Sequence, residues 1–194
     1  MKSNTEVRIA LLTEEKYIDP SNPDWYMDQV LLEDNLLIEA LEKSGAQVTK
    51  VGWTQIGVDF STFDAAIFSS IWDYYRYSTD FSKWIDRVEG QTTFFNSIAQ
   101  IRDNMDKRYL IRYQDMGRNV VPTKYVPAGS SWSDTLWAED LDSDHLVIKP
   151  VIGGAAADTS VTTQPGGFFG RHHREQIVAG KGVNAGESDG LNRP

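Results

Sequence analysis

Four short strand-like runs, each stopped by turn-forming residues and separated by stretches of helical spacing, constrain this sequence more than any other feature. The runs are Val7 to Thr13, Gln47 to Trp53, Phe63 to Phe68 and Thr92 to Phe95. From about Met27 the residues Val30, Leu31, Leu37, Ile38 and Leu41 recur at helical spacing, and Gly45 supplies the stop. Thr79 to Val88 has the pattern of a second helix, with Ser78 or Thr79 as its N-cap. Strands alternating with helices bury both faces of a parallel sheet, so the expected fold class is α/β. Glu14 to Asp24, with Pro20 and Pro23, is loop chemistry. A polar-aromatic loop, Ser69 to Ser78, follows the third run, and in open α/β sheets ligands sit at the carboxyl ends of strands.

The second half has a different pattern. Asp103 to Met116 reads as one helix ending at Gly117, and Val120 to Val126 as an extended edge segment marked by Pro122. Ser130 to Ala138 reads as a short helix, and His145 to Lys149 and Thr159 to Thr163 as strands. This mixture predicts a small α+β unit. Pro165 to Pro194 holds seven of the fifteen glycines with no periodic apolar pattern, and is expected to be a disordered or out-of-register tail.

Bulk composition removes several function classes. The 194 residues include no cysteine, which excludes disulfides, thiolate zinc sites and cysteine nucleophiles. The net charge of −9, with no basic cluster, argues against a nucleic-acid partner. The apolar runs are too short to cross a bilayer and Met1 to Glu6 is polar, so no membrane partner and a cytoplasmic location are expected. There is no phosphate-loop Gly-x-x-x-x-Gly-Lys-Ser/Thr, no Gly-x-Gly-x-x-Gly fingerprint, no His-Glu-x-x-His helix and no Gly-x-Ser-x-Gly elbow.

Two lysines stand out against that background. Lys107 lies in Asn104-Met105-Asp106-Lys107-Arg108-Tyr109-Leu110, and Lys149 ends the apolar strand Leu146-Val147-Ile148-Lys149-Pro150. Small residues follow at once, Gly153-Gly154-Ala155-Ala156-Ala157. A lysine closing a buried strand can reach phosphate oxygens, and the backbone N–H groups of such a loop can fold over them. Each feature alone also reads as a solvated charge or a plain connector.

Taken in order, Ser70-Ile71-Trp72-Asp73-Tyr74, Phe94-Phe95-Asn96, Asn104 to Leu110, Val121-Pro122-Thr123 and Val147-Ile148-Lys149-Pro150 resemble the ATP-grasp superfamily. The flavour is that of its glutathione synthetase-like and D-cycloserine cyclo-ligase-like group. The resemblance implies a Rossmann-like pre-ATP-grasp domain over residues 1–97, then a partial ATP-grasp subdomain over 98–164, with 165–194 as tail. It implies ATP as cofactor, contacted by Lys107 and Lys149 and covered by a loop including Gly153 and Gly154. Trp72, Asp73 and Tyr74 would meet a small amino-acid-like substrate, by cation–π contact and ion pairing with its amine. An alternative for them is packing, with Asp73 capping the turn. The implied chemistry is ADP-forming ligation of a carboxylate to an amine through an acyl phosphate, with magnesium stabilising the transferring phosphoryl group.

The sequence departs from that family after Thr163, where relatives continue with a core sheet and with acidic and Asn ligands for magnesium. Glu175, Asn184, Glu187, Asp189, Asn192 and the pair His172-His173 lie in the glycine-rich stretch with no strand expected to align them. The expectation is therefore a C-terminally truncated copy with no magnesium ligands and no catalytic residue, binding nucleotide weakly and not turning it over. Its apolar segments Val120 to Val126 and His145 to Ile152 are expected to be partly exposed and to drive homo-oligomerisation. The rival reading is a non-catalytic module that binds a ligand or partner through the first domain.

Overall fold

The computed structural model describes residues 6–130, 145–154, 156–162 and 176–180. It divides into two compact units, Met1–Asp103 and Asn104–Pro194. In the first, β1 (Val7–Thr13), β2 (Ala46–Gly52), β3 (Ala65–Phe68) and β4 (Thr93–Phe95) form one sheet in the order β2-β1-β3-β4. Every neighbouring pair is parallel. Helix α1 (Trp25–Lys43) joins β1 to β2, and α2 (Ser78–Val88) joins β3 to β4. β1 is central, which is why Ala10, Leu11 and Leu12 are all fully buried and form an unbroken apolar run.

Local chemistry sets the helix ends. The Asp24 carboxylate caps α1, accepting from the Met27 amide at 2.8 Å, so the helix starts at Trp25, ahead of the apolar periodicity. Gly45 follows at φ +93°, the left-handed turn that lets β2 begin at once. α2 begins one residue before the expected Thr79, and neither Ser78 nor Thr79 caps it; Tyr77 takes the N-cap position without a side-chain bond. Phe81, Trp84, Ile85 and Val88 make its buried stripe, at intervals of one helical turn. Trp53, Phe60, Phe68 and Phe94 gather around that stripe as a ring-on-ring core.

The expected Asp103–Met116 helix is broken. The chain makes α3 (Ile98–Met105) and then α4 (Tyr109–Asp115), with Asp106 to Arg108 between them. At the break the Asp106 carboxylate accepts the Arg108 amide at 2.9 Å, which competes with helical pairing. The Lys107 amide donates to the Val151 carbonyl at 3.0 Å, outside the helix altogether. α3 falls within the first unit up to Asp103, because Arg102 bonds to Asp86 and Glu89 of the α2 region at 2.6 and 3.1 Å. The division thus lies a few residues beyond the expected position 97.

The second unit holds a second sheet, of β5 (Thr123–Val126), β6 (Leu146–Pro150), β7 (Ser160–Thr162) and β8 (Gln176–Gly180). Its order is β5-β8-β6-β7 and all its pairs are antiparallel. This corrects the reading of the tail: residues 176–180 are an inner strand, pairing with β5 on one side and β6 on the other. The reason is hydrogen bonding rather than side-chain periodicity, since β8 satisfies both its edges from neighbouring backbone. Ile177 is buried with Val126, Leu146, Ile148 and Val151. The expected exposure of Val120 to Val126 and His145 to Ile152 is therefore confined to Val121 and Ile152 among their large apolar residues. The expected helix over Ser130 to Ala138 lies outside the described residues beyond Ser130, as does the rest of the tail.

Candidate functional site

The break between α3 and α4 and the end of β6 bring two lysines to one place. Lys107, Lys149, Pro150, Gly153, Gly154, Ala156, Ala157 and Thr159 line a cavity of ≈ 240 Å³. Lys149 arrives there because it is the penultimate residue of β6, and Lys107 because its own amide is tied to Val151. The Lys107 Nζ donates to the Gly153 carbonyl at 2.7 Å. A methyl group on Gly153 would stand 3.3 Å from that nitrogen, so glycine lets the ammonium approach the loop. The loop itself is a chain of tight turns, with the Ala157 amide on the Gly154 carbonyl and the Thr159 amide on the Ala156 carbonyl. Ala156 and Asp158 adopt left-handed φ of 56° and 52°. Burial lowers the pKa of Lys107 below its ordinary value, and the positive charge of Lys149 lowers it further, with Asp106 opposing. Two cationic side chains held around a cavity walled by small residues are an arrangement an anion would stabilise.

The first unit has its own polar concentration, at the carboxyl ends of β1 and β3, where the strand order reverses direction. Ser69 and Ser70, just past β3, donate their hydroxyls to Asp34 of α1 at 2.8 and 3.0 Å. Lys50 of β2 completes this buried group, its Nζ 2.6 Å from Asp34 Oδ2. Backbone bonds from Ser69 to Leu12 and from Glu14 to Ser70 tie the two strand ends together. At the end of β1, Thr13 Oγ1 and Glu14 Oε2 are buried oxygens with no hydrogen-bond partner among the described residues, and the Tyr17 hydroxyl is buried beside Lys16. Lys16 pairs with the other Glu14 oxygen at 2.9 Å and lies 4.7 Å over the Tyr17 ring. Burial raises the Tyr17 pKa, with Lys16 offsetting part of the rise.

Trp72 joins this group, its ring 6.1 Å from Tyr17 and 5.9 Å from Tyr26. Asp73 turns the other way and accepts the indole N–H of Trp53 at 2.8 Å. Tyr74 packs on Phe81 at 5.6 Å. The sequence reading named Trp72, Asp73 and Tyr74 but not Glu14, Lys16, Tyr17, Asp34 or Lys50. The available signal was the end of the first strand, since that rule of ligand position applies to β1 as well as β3.

Comparison with known proteins places this geometry. Residues 9–96 match the family of the N-terminal domain of D-cycloserine synthetase DcsG. The cycloserine biosynthesis protein DcsG of Streptomyces lavendulae is 30% identical over 126 residues, which is 63% of this chain and 42% of that protein. Over residues 9–96 this chain is therefore similar to the N-terminal domain of DcsG. The crystal structure of D-cycloserine synthetase DcsG superposes with a TM-score of 0.71 at 21% identity, over 90% of this chain and 59% of that one. D-alanyl-alanine synthetase A from Vibrio cholerae O1 biovar eltor gives 0.61 at 12% identity, over 91% and 60%. The chain thus spans less than half the length of the curated relative and about three fifths of the solved structures.

The four residues expected to meet nucleotide, Lys107, Lys149, Gly153 and Gly154, line one cavity of the second unit. Trp72, Asp73 and Tyr74 belong to the first. The lysine pair and its loop fit the phosphate chain of ATP. The described residues do not fit magnesium: among them no three His, Asp or Glu side chains stand together as a metal site. Glu175, Glu187, Asp189, Asn184, Asn192 and His172-His173 lie outside the described residues. No step through magnesium follows from the residues described.

Proposed function

We propose that the second unit binds the phosphate chain of ATP between Lys107, Lys149 and the Gly153-Gly154 loop, as part of an ADP-forming carboxylate–amine ligase. The observation that carries this is the Lys107 ammonium, half-buried, tied to Gly153 and set against the like charge of Lys149. Such a pair repels itself until a polyanion enters. Both lysines would then donate charge-assisted hydrogen bonds, and the backbone of the loop would close over the oxygens. In the proposed chemistry a substrate carboxylate oxygen attacks the γ-phosphorus and the bond to the β-phosphate oxygen breaks, leaving ADP. An amine then attacks the acyl carbon, phosphate departs and the amine releases a proton.

The first unit would receive a small amino-acid-like substrate near Trp72. The buried oxygens Thr13 Oγ1 and Glu14 Oε2, unpartnered among the described residues, support this, because they are acceptors an ammonium group could satisfy. The same observation also favours a second reading, a non-catalytic module that binds such a ligand through the first unit alone.

Calorimetric titration of the chain with ATP and with ADP tests the nucleotide reading. Binding that weakens at least tenfold in Lys149→Ala and in Lys107→Ala is expected. Unchanged affinity in both variants would overturn it. Titration with a panel of amino acids, comparing wild type with Glu14→Gln, separates the second reading: amino-acid binding lost in Glu14→Gln, without any nucleotide binding, favours the module.

A further inference from the structure

Trp53, the residue just past β2, is buried in the aromatic core of the first unit, its ring 5.1 Å from Phe81 and 6.2 Å from Trp84. A buried indole N–H needs an acceptor, and this one takes Asp73 Oδ1 at 2.8 Å, on the loop past β3. Phenylalanine would put a ring in the same core without that demand. Trp53 is also tied to the end of β1, since its amide donates to the Thr13 carbonyl at 3.1 Å. The Glu14 amide donates in turn to the Ser70 carbonyl at 3.0 Å. These links close on themselves. They run from Thr13 to Trp53, from Trp53 to Asp73, back along the chain through Trp72 to Ser70, and from Ser70 to Glu14, the neighbour of Thr13. Only the Trp53–Asp73 bond in this circuit joins two side chains. From outside it, Asp34 of α1 grips the Ser70 hydroxyl at 3.0 Å.

We propose that Trp53 and Asp73 are positioning residues for the amine-binding group of the first unit. Their hydrogen bond fixes Trp72 against Tyr17 and holds the Thr13 and Glu14 oxygens where a ligand's ammonium meets them. The inference rests on the reading of that group as the receiver of a small amino-acid-like substrate. Thr13, Glu14 and Trp72 all belong to the circuit, and the Trp53–Asp73 bond is the one link in it that a side-chain substitution can cut. Asp73 then acts through the indole and does not itself meet the ligand. Ion pairing of Asp73 with the ammonium would require its carboxylate to leave Trp53 and strand a buried N–H, at the desolvation cost of that group. The two roles differ in chemistry. Accepting from an indole needs an oxygen and no charge, whereas pairing with an ammonium needs the charge.

Calorimetric titration of the full chain with glycine and with both enantiomers of alanine and serine, alongside hydrogen exchange, tests this. Asp73→Ala and Trp53→Phe should each weaken amino-acid binding about tenfold, and the double variant no further, since all three lose the same bond. Asp73→Asn keeps the acceptor oxygen and should recover most of that affinity. In Asp73→Ala and Trp53→Phe the Glu14 and Arg76 amides, bonded to the Ser70 and Asp73 carbonyls, should exchange faster. Ala10 to Leu12 should stay slow in both, which separates lost positioning from lost folding. Asp73→Asn binding as weakly as Asp73→Ala, single effects that add in the double variant, or Glu14 exchange unchanged in both single variants would each overturn the positioning role alone. A wild-type chain that binds none of these amino acids at millimolar concentration would overturn the amine-site reading, and this role with it.

Discussion

Lys107 carries its charge where burial opposes it first and Lys149 second, and this has a direction in pH. Its pKa in the free protein lies below the ordinary 10.5, whereas a bound polyanion would raise it again. Nucleotide binding should therefore take up a proton in the window between those two values. Affinity is full below the lowered pKa of the free protein and falls as pH climbs through the window. Calorimetry in buffers of different ionisation enthalpy should show that uptake, and Lys107→Met should abolish it. For folding, the unfolded chain binds the extra proton, so Lys107 makes the second unit more stable as pH rises from its lowered pKa towards 10.5. Asp34 has a different role. Its carboxylate is the shared acceptor of Ser69 and Ser70 and the ion-pair partner of Lys50. Asp34→Ala leaves the Lys50 charge without its partner and should cost about 3–5 kcal/mol in urea denaturation. Adding Lys50→Met should recover part of that loss.

Among the elements, β8 matters most to the second unit. It is an inner strand, and Ile177 is buried among the side chains of β5 and β6. Ile177→Ala should destabilise the second unit by about 2–4 kcal/mol, from lost burial and the cavity left behind. Proteolytic trimming to Gln164 should not leave this sheet intact, because β5 and β6 are joined only through β8 in the observed order. If a protease-trimmed core kept its slow amides in Leu146 to Lys149, the inner position of β8 would be refuted. The helix break at Asp106 to Arg108 is the other decisive element. A continuous helix would have kept the Lys107 amide in its own ladder. The break gives that amide to Val151 and the side chain to Gly153.

At the scale of the whole molecule, the first unit has a complete parallel sheet with helices of its own and an aromatic core gathered on α2. A fragment of residues 1–103 should therefore fold alone and melt cooperatively, with slow hydrogen exchange in Val7 to Leu12. Non-cooperative melting of that fragment would contradict the division into units. The full chain should show slow amides in Leu146 to Lys149 as well, since β6 has a paired neighbour on both sides.

By itself the sequence determined the first sheet, because strands buried on both faces must be apolar runs and the residues that stop them carry strong turn preferences. Val7 to Thr13 and Phe63 to Phe68 are legible for that reason, as are Lys149 at a strand end and the small-residue loop after Gly153. Only the tertiary structure decided the rest. Gln176–Gly180 is too short and too close to glycines for any period to appear, and it becomes a strand because two neighbours offer it hydrogen bonds. Lys107 reads as a helical surface charge until a bond to a residue far along the chain pulls it out of the helix. Glu14 and Tyr17 read as loop until the turn after β1 buries their oxygens around Lys16. Periodicity reports which face of an element is buried. It carries no information about contacts between residues distant in sequence, and those contacts assemble the site.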